Sequence, residues 1–203
     1  FAGAPYTLAV FLIEGGSFGD GADAAEAFAR EQPRLLHELL DKLTVMTIDY
    51  LRLRGEAGAA AVQLFESAAF LLSPDQYREF ALPYQQRIFD ALRGTVPTIA
   101  FAREPADPAL LADSGADILS LPASIGIRDA RRRFGADRVV QGNLSNRLLA
   151  DGSREAIAEA ATACVRDGEG RGHVFNLAHG LLRETPFENI VHLIEVVHGL
   201  RHD

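Results

Sequence analysis

Two polar side chains follow short apolar runs, at places where strands of an α/β protein would end. Ser67 comes directly after a run that ends in Phe65 and Glu66, and His179 lies in the turn-like Asn-Leu-Ala-His-Gly segment. The carboxyl ends of parallel strands are where such proteins bind ligands and carry out chemistry. From spacing alone, His179 also fits a structural turn, and Ser67 also fits a helix cap.

Other polar residues at predicted strand ends have two interpretations each. Glu66 is either a general base or an ion-pair partner of Arg103. Asn143, after Gly142, suits a left-handed backbone position as well as a ligand contact. The run of arginines at 131–133 is interpreted as a solvated helix end rather than an anion site. The histidines on helical stretches are interpreted as surface residues; they are His37, His192, His198 and His202.

Strand-like and helix-like segments alternate along the chain. Strands are expected at residues 7–14, 60–65, 97–102, 116–121, 138–142 and 173–177. Helices are expected over 24–53 with a break near 32–33, and then after residues 73, 107, 126, 153 and 185. Ser73 with Gln76, and Thr185 with Glu188, have the spacing of capping boxes.

Strands of five or six residues alternating with helices predict a parallel sheet covered by helices. A closed barrel needs eight strands and about 250 residues. The chain begins at Phe1 without a methionine, so we expect a fragment. The expected fold class is α/β, an incomplete (β/α)8 TIM barrel whose first two β/α units are absent from this chain. No linker divides it, and residues 1–203 are expected to form a single domain. An open doubly wound sheet remains the alternative, although no Gly-x-Gly-x-x-Gly motif supports its dinucleotide-binding form.

Composition disfavours several function classes. The net charge of -8 argues against nonspecific nucleic-acid binding, which uses a basic surface. The single cysteine, Cys164, cannot form an internal disulfide or a cysteine zinc cluster. No histidine pair has metal spacing, and no lysine ends a strand, which disfavours zinc and Schiff-base enzymes. No apolar run approaches the roughly 20 residues that span a bilayer, and no signal peptide is visible. A cytoplasmic location is expected.

The chain resembles the uroporphyrinogen decarboxylase family over essentially its whole length. The motifs that carry the resemblance are, in order, Gly3-Ala4-Pro5-Tyr6-Thr7-Leu8, Glu14-Gly15-Gly16, Leu64-Phe65-Glu66-Ser67, Leu82-Pro83-Tyr84, Gln141-Gly142-Asn143-Leu144 and Asn176-Leu177-Ala178-His179-Gly180. Each motif is weak alone, but their order and spacing make the resemblance specific. The family's arginine-rich segment and its substrate-binding aspartate would precede Phe1.

The resemblance implies a decarboxylation that needs no cofactor and no metal. Four acetate side chains of uroporphyrinogen III become methyl groups, giving coproporphyrinogen III in haem biosynthesis. The protonated pyrrole ring of the substrate accepts the electrons, so the protein binds, orients and stabilises charge. The resemblance implies that His179 and Ser67 are catalytic and contact substrate carboxylates or the reacting side chain. It implies that Phe1 and Phe65 offer apolar walls to the macrocycle, and it implies a homodimer.

Several positions depart from the family pattern. Phe11 stands where the family commonly has a tyrosine whose hydroxyl contacts the substrate, although it keeps the ring in the binding site. The usual Gly-Leu-Asp-Trp strand end has become Ser120-Leu121-Pro122-Ala123. Arg103 replaces a lysine-containing end and still offers positive charge for substrate binding. The family's Asn-Leu-Asp-Pro has become Asn143-Leu144-Ser145-Asn146.

Two other functions remain open at this stage. A diverged, non-catalytic homologue that binds a tetrapyrrole would show replacements such as Phe11 and Pro122. A corrinoid-dependent methyltransferase shares the barrel but uses a zinc held by histidine and cysteines, and no His-x-Cys follows any strand here. The fragment alone is expected to be inactive and poorly soluble, because an open barrel exposes two unpaired strand edges.

Overall fold

The computed structural model of the chain describes residues 1–19 and 21–200. Its strands are Ala2–Gly3 (β1), Val62–Glu66 (β2), Thr98–Ala102 (β3), Ile118–Ser120 (β4), Val139–Gln141 (β5) and His173–Val174 (β6). Its α-helices are Pro5–Glu14 (α1), Asp23–Glu31 (α2), Pro33–Glu56 (α3), Pro74–Phe80 (α4), Leu82–Leu92 (α5), Ala109–Ala112 (α6), Ile127–Phe134 (α7), Asn146–Asp151 (α8), Arg154–Asp167 (α9) and Phe187–Gly199 (α10).

The strands form a parallel sheet in the order β1-β2-β3-β4-β5-β6, so each strand lies beside the next one along the chain. Helices connect the strands, as parallel neighbours require. The predicted α/β class is confirmed. The chain divides into two compact units, Phe1–Leu119 and the remainder from Ser120 onward. The expectation of a single domain stays a prediction.

The sheet of the first unit sets which strand ends are level with one another. Gly3 pairs with Phe65 across β1 and β2, and Glu66 pairs with Ala102 across β2 and β3. Every residue of β3 is buried, whereas β2 alternates between buried and half-buried residues. Ser67 and Arg103 therefore follow directly after two neighbouring strands that end at the same level.

The core of the first unit comes from apolar stripes of long helices. Pro33 opens α3 in the first turn, where a missing N–H is harmless. Leu36, Leu40 and Leu51 of this helix are at most 1% exposed, and Ile88 of α5 is fully buried. Each such side chain stabilises the fold by about 2 kcal/mol relative to its exposed state. This packing holds the strand ends in place.

The second unit has a smaller core between its last helices. Val140 of β5 pairs with His173 of β6, and the ladder resumes with a bridge between Leu144 and Leu177. The buried members of this core are Leu144, Leu149, Ile157, Ala161 and Leu193. Ser153 caps α9 by accepting a hydrogen bond from the backbone of Ala156 at 3.2 Å, as its sequence position predicted.

The strand predicted over residues 7–14 is wrong, because Pro5–Glu14 is the helix α1. An unbroken apolar run suits a buried strand or a buried helix equally, and the flanking residues decide. Pro5 occupies the first helical turn, and Gly15 ends the helix in a left-handed conformation with φ of 73°. The strand of this segment is the two-residue β1 before it. Phe11 therefore lies on a helix rather than at a strand end.

The cap predicted at Thr185 is also wrong. Pro186 is the N-cap of α10, without a side-chain cap bond, and the Thr185 hydroxyl is buried without a hydrogen-bond partner. The capping box of Ser73 and Gln76 is confirmed. The helix α8, over Asn146–Asp151, was not predicted because the residues between 143 and 152 carry no clear apolar period.

One arginine of the 131–133 run is not solvated, which corrects its interpretation as a helix end in water. Arg131 is 8% exposed, and its guanidinium donates to the carbonyls of Gly168, Arg171 and Gly172. Arg132 and Arg133 are exposed, as expected. Long basic side chains can bury their stems, and here the charged head is buried too because carbonyl groups surround it.

The histidines that were interpreted as surface residues differ in their exposure. His198 is exposed, while His37 and His192 are half-buried and bonded to Tyr84 and Arg154. His202 lies outside the described residues. Among the helices of residues 1–19 and 21–200, none is both long and apolar enough to cross a bilayer.

Candidate functional site

Ser67 occupies the turn that follows β2, as predicted, and is half-buried. The residues on both sides of it are anchored. The backbone carbonyl of Glu66 accepts from the backbone N–H of Arg103 at 3.0 Å, and the backbone N–H of Ala68 donates to the Thr7 hydroxyl at 3.0 Å. These bonds restrain the backbone at Ser67, which a precisely placed binding contact requires.

Glu66 is buried, with 1% of its surface exposed, and its carboxylate lies among hydrogen-bond donors. One oxygen accepts from the backbone N–H of Thr7 at 3.0 Å and from the Thr7 hydroxyl at 2.5 Å. The other accepts from the side-chain amide of Gln85 at 3.1 Å, whose own oxygen accepts from the Tyr77 hydroxyl at 3.0 Å. Of the two sequence interpretations, pairing with Arg103 is not what holds this carboxylate; Arg103 contacts Glu66 through its backbone.

Burial raises the pKa of Glu66 from an ordinary value of 4.5 to about 7, although the hydrogen bonds from Thr7 and Gln85 oppose that rise. Burial, and secondarily the Glu66 carboxylate, also raises the pKa of Tyr6 and of Tyr77. The tyrosines are therefore neutral at physiological pH, and Glu66 is the group of this cluster that titrates near it. Neither the carboxylate nor its partners were identified as a network from the sequence.

Arg103 and Phe11 belong to one aromatic cluster of the first unit. The Arg103 guanidinium lies 4.3 Å from the centre of the Phe70 ring, a cation–π contact. The Phe70 ring stacks on Phe18, with centroids 6.4 Å apart, and Phe18 meets Phe11 edge-on at 4.9 Å. The structure thus connects two expected substrate contacts that are far apart in sequence, through two phenylalanines that sequence reasoning missed.

The two remaining expected aromatic residues also meet. Phe1 and Phe65 pack edge-to-face with centroids 5.4 Å apart, and Phe65 lies 5.1 Å from Phe101. Phe1 is 79% exposed, so its ring offers an open apolar surface. An apolar face of this kind suits an apolar part of a ligand.

His179 lies in the second unit, half-buried, two residues beyond the bridge that ends the β5–β6 ladder. The backbone on both sides of it is held. Ala178 donates its N–H to the carbonyl of Leu144 at 2.8 Å, and the side-chain amide of Asn146 donates to the carbonyl of Gly180 at 3.0 Å. Asn146 is a residue that sequence reasoning noted only as a departure from a family pattern.

Asn143 has a structural role instead of the left-handed conformation considered for it. Gly142 is the residue with positive φ, at 115°. The Asn143 side-chain amide donates to the carbonyls of Pro122 at 2.9 Å and Ile125 at 2.7 Å. It therefore fixes the loop between β4 and α7. Within the described part of the chain, no group of three or more His, Cys, Asp or Glu side chains could hold a metal ion.

We expect Asn146→Ala to loosen the segment that carries His179. The variant removes one hydrogen bond to the Gly180 carbonyl, worth about 1 kcal/mol, so exchange of the amide hydrogens at 178–181 should accelerate about fivefold. Hydrogen exchange read by NMR or mass spectrometry measures this. Asn189→Ala is the matched control, because it removes an amide-to-carbonyl bond to Leu149 at 2.9 Å in the same unit. Equal exchange at 178–181 in both variants would contradict the assignment.

The sequence was compared with protein-family models and with known proteins, and the matched region includes all of these residues. A family model described as "Uroporphyrinogen decarboxylase (URO-D)" matches residues 1–200. Curated relatives named uroporphyrinogen decarboxylase include those of Carboxydothermus hydrogenoformans, 39% identical over 202 residues, and Nostoc punctiforme, 40% identical over 205 residues. A chloroplastic relative from Oryza sativa subsp. japonica is 36% identical over 206 residues.

These matches cover almost all of this chain but only about half of each relative. The matches cover 98%, 98% and 100% of this chain, but 57%, 57% and 52% of the respective relatives. The chain thus spans about half the length of the curated relatives it matches. Among solved structures, a methyltransferase from Methanosarcina mazei matches with a TM-score of 0.77 over 97% of this chain and 57% of that chain, at 20% identity. This likeness concerns the fold alone, and it supports the predicted incomplete barrel.

Proposed function

This chain belongs to the uroporphyrinogen decarboxylase family, and on that premise we propose that the full-length protein decarboxylates uroporphyrinogen III. The four acetate side chains lose carbon dioxide and become methyl groups, so the product is coproporphyrinogen III. The observation that carries the proposal is the match of the family over residues 1–200, which includes both Ser67 and His179. The proposed reaction belongs to porphyrin and haem biosynthesis.

The proposed mechanism uses the substrate's own chemistry. Once a pyrrole ring is protonated, it accepts the electron pair left by the departing carbon dioxide, and the side chain becomes an exocyclic methylene. Protonation of this methylene carbon and loss of the ring proton then give the methyl group, so no cofactor is required. The protein then has to bind, orient and stabilise charge. In this proposal the His179 imidazole and the Ser67 hydroxyl bind substrate carboxylates or the reacting side chain. Both side chains sit in segments whose backbones are held by hydrogen bonds, which supports an orienting role.

The remaining proposed contacts divide by chemistry. The guanidinium of Arg103 supplies positive charge to a substrate rich in carboxylates. Phe1, Phe11 and Phe65 present ring faces to the apolar macrocycle, and two of these rings are at least 43% exposed, Phe1 and Phe11. The adjacency of Arg103 and Phe11 within one aromatic cluster supports their joint use.

Turnover of the natural substrate tests the proposal. Purified full-length protein is incubated anaerobically with uroporphyrinogen III, and products are separated by chromatography after oxidation to porphyrins. Accumulation of coproporphyrin III is expected. Binding of the porphyrinogen without any loss of carboxyl groups would instead support a non-catalytic tetrapyrrole-binding homologue, for which the missing hydroxyl at Phe11 is the favouring observation.

Restoring that hydroxyl has a definite expected effect. Phe11→Tyr should raise kcat/KM for uroporphyrinogen about fivefold, because one added hydrogen bond contributes about 1 kcal/mol. The side chain is 43% exposed, so the melting temperature should not change. Phe28→Tyr adds the same hydroxyl to a half-buried ring on α2 and serves as the control. Steady-state kinetics measure both, and an unchanged kcat/KM in Phe11→Tyr would refute the proposed contact.

Assembly and location are proposals as well. We propose a homodimer, which sedimentation of the full-length protein would test against a monomer. We propose a cytoplasmic location, as for an enzyme that meets a water-soluble substrate; the rice and maize relatives carry the word chloroplastic in their names. Fluorescence imaging of a tagged full-length protein would decide the location.

A further inference from the structure

The hydroxyl of Thr7 joins two segments that lie 59 residues apart in sequence and one of which bears Ser67. We propose that Thr7 and Glu66 form a positioning pair that holds the turn after β2 so that the Ser67 hydroxyl points at the substrate. This inference deepens the proposed decarboxylase function and rests on it. Thr7 and Glu66 are positioning residues here, because they act through Ser67.

The hydrogen bonds of the pair all run in compatible directions. The Thr7 hydroxyl donates its single proton to the Glu66 carboxylate at 2.5 Å and accepts the N–H of Ala68 at 3.0 Å. The backbone N–H of Thr7 donates to the same carboxylate oxygen at 3.0 Å. A hydroxyl offers one donor and two acceptor sites, so this arrangement uses it on both sides. The result is a closed chain of contacts around Ser67.

The position of these contacts matters more than their number. They fix the residue before Ser67 and the residue after it, while leaving the Ser67 side chain itself half-buried. The Ala68 carbonyl continues the chain by accepting from the N–H of Leu71 at 3.1 Å. Movement at Thr7 is thus transmitted to the Ser67 turn through two hydrogen bonds, without any further residue.

Stability alone does not account for a carboxylate at this place. Taking a carboxyl group out of water costs free energy that hydrogen bonds offset only in part, and an apolar group of similar shape often stabilises as well or better. Directional hydrogen bonds do what an apolar contact cannot: they fix one geometry. The buried pair lies at the end of β2, directly before Ser67, where a fixed backbone geometry would position the Ser67 side chain.

The chain contains a matched control for this motif. The Thr98 hydroxyl donates to the Asp117 carboxylate at 2.7 Å and accepts the backbone N–H of Asp117 at 3.1 Å. Thr98 is 2% exposed and Thr7 is 3% exposed. Thr98 pairs with Val62, so it lies at the opposite end of the strands from Ser67. The same change at both threonines therefore separates loss of stability from loss of position.

Three variants of the full-length protein test the pair: Thr7→Val, Thr7→Ser and Thr98→Val. Valine has the shape of threonine but lacks the hydroxyl, whereas serine keeps it. Thr7→Val is expected to lower kcat/KM for uroporphyrinogen about tenfold, and Thr7→Ser to retain it within about twofold. Asp117 is exposed whereas Glu66 is buried, so Thr98→Val is expected to lower the urea midpoint of unfolding by no more than Thr7→Val does. Its kcat/KM is expected to stay within about twofold of the unmodified protein.

A second readout does not depend on catalysis. Exchange of the Ala68 amide hydrogen is expected to accelerate at least tenfold in Thr7→Val, because its acceptor is gone, and to stay unchanged in Thr98→Val. Equal losses of kcat/KM in the two valine variants would overturn the pair's role, and so would unchanged exchange at Ala68. If the unmodified protein fails to turn over uroporphyrinogen, the proposed function fails; the exchange experiment then still decides whether the pair holds the turn.

Discussion

Replacing His179 with alanine in the full-length protein should lower kcat for uroporphyrinogen by about 100-fold or more, while the melting temperature falls by no more than about 3 °C. The expected loss is large because the imidazole is proposed to contact the reacting part of the substrate. The expected change in stability is small because backbone bonds of Ala178 and Gly180 hold the loop, and alanine retains both. Steady-state kinetics and thermal unfolding measure the two quantities on the same preparation.

Two further variants make the His179 result specific. His179→Gln keeps a hydrogen-bond donor and an acceptor in the side chain, so kcat is expected to recover in part relative to His179→Ala if His179 acts through hydrogen bonds. His192→Ala, on α10, removes a histidine bonded to Arg154 and should change kcat less than twofold. Should the rate and the stability of His179→Ala fall together, the residue is structural.

The second large effect concerns how stability depends on pH. Because burial raises the pKa of Glu66 from 4.5 to about 7, the folded protein keeps a proton that the unfolded chain has released between these pH values. The folded state then binds more protons, so the free energy of unfolding falls as pH rises through this window. The stabilising contribution of the raised pKa of Glu66 is fully present below about pH 4.5 and is lost above about pH 7. The slope is about 1.4 kcal/mol for each pH unit.

Glu66→Gln isolates this effect, since glutamine does not titrate. The free energy of unfolding of the unmodified protein minus that of Glu66→Gln should fall by about 3 kcal/mol from pH 4.5 to pH 7.5, as read from urea unfolding. Other groups facing the carboxyl are Tyr6 of α1, Tyr77 of α4 and Gln85 of α5, and none of them changes charge in this range. A pH-independent difference would show that folding does not raise the pKa of Glu66.

The sequence predicts the fold well because most strands are short apolar runs and because residues with capping side chains mark where several of the following helices begin. β3 falls inside its predicted bounds, and α7 begins directly after residue 126 as predicted, since local pattern and burial agree there. The error at α1 has a physical origin. Ten residues with hardly any polar interruption have no readable period, so only Pro5 and Gly15 indicated a helix.

The candidate site is predictable in part, for a different reason. The positions of Ser67 and His179 after strands can be predicted from sequence, because strands that end in a parallel sheet present the next residues at its edge. Their roles in binding and catalysis stay predictions. Thr7 and Glu66 could not be paired in this way, because 59 residues separate them and neither belongs to a local motif that implies the other. Arg103 and Phe11 are connected through Phe18 and Phe70, by ring contacts between segments that are far apart in sequence.

Because the guanidinium of Arg131 is buried, substitution of Arg131 is expected to be less well tolerated than substitution of its two neighbours in the run of arginines. Arg132 and Arg133 face water, so substitutions there alter surface charge and little else. Substitution of Arg131 removes a charged donor from the carbonyls of Gly168, Arg171 and Gly172, in the segment that leads into β6. The carbonyls of Gly168 and Gly172 keep a second bond, from the backbone N–H of Arg171 and of Val140. In a cell, the loss of stability would lead to faster degradation by proteases and a lower abundance of the protein, while the activity of each folded molecule would be unchanged.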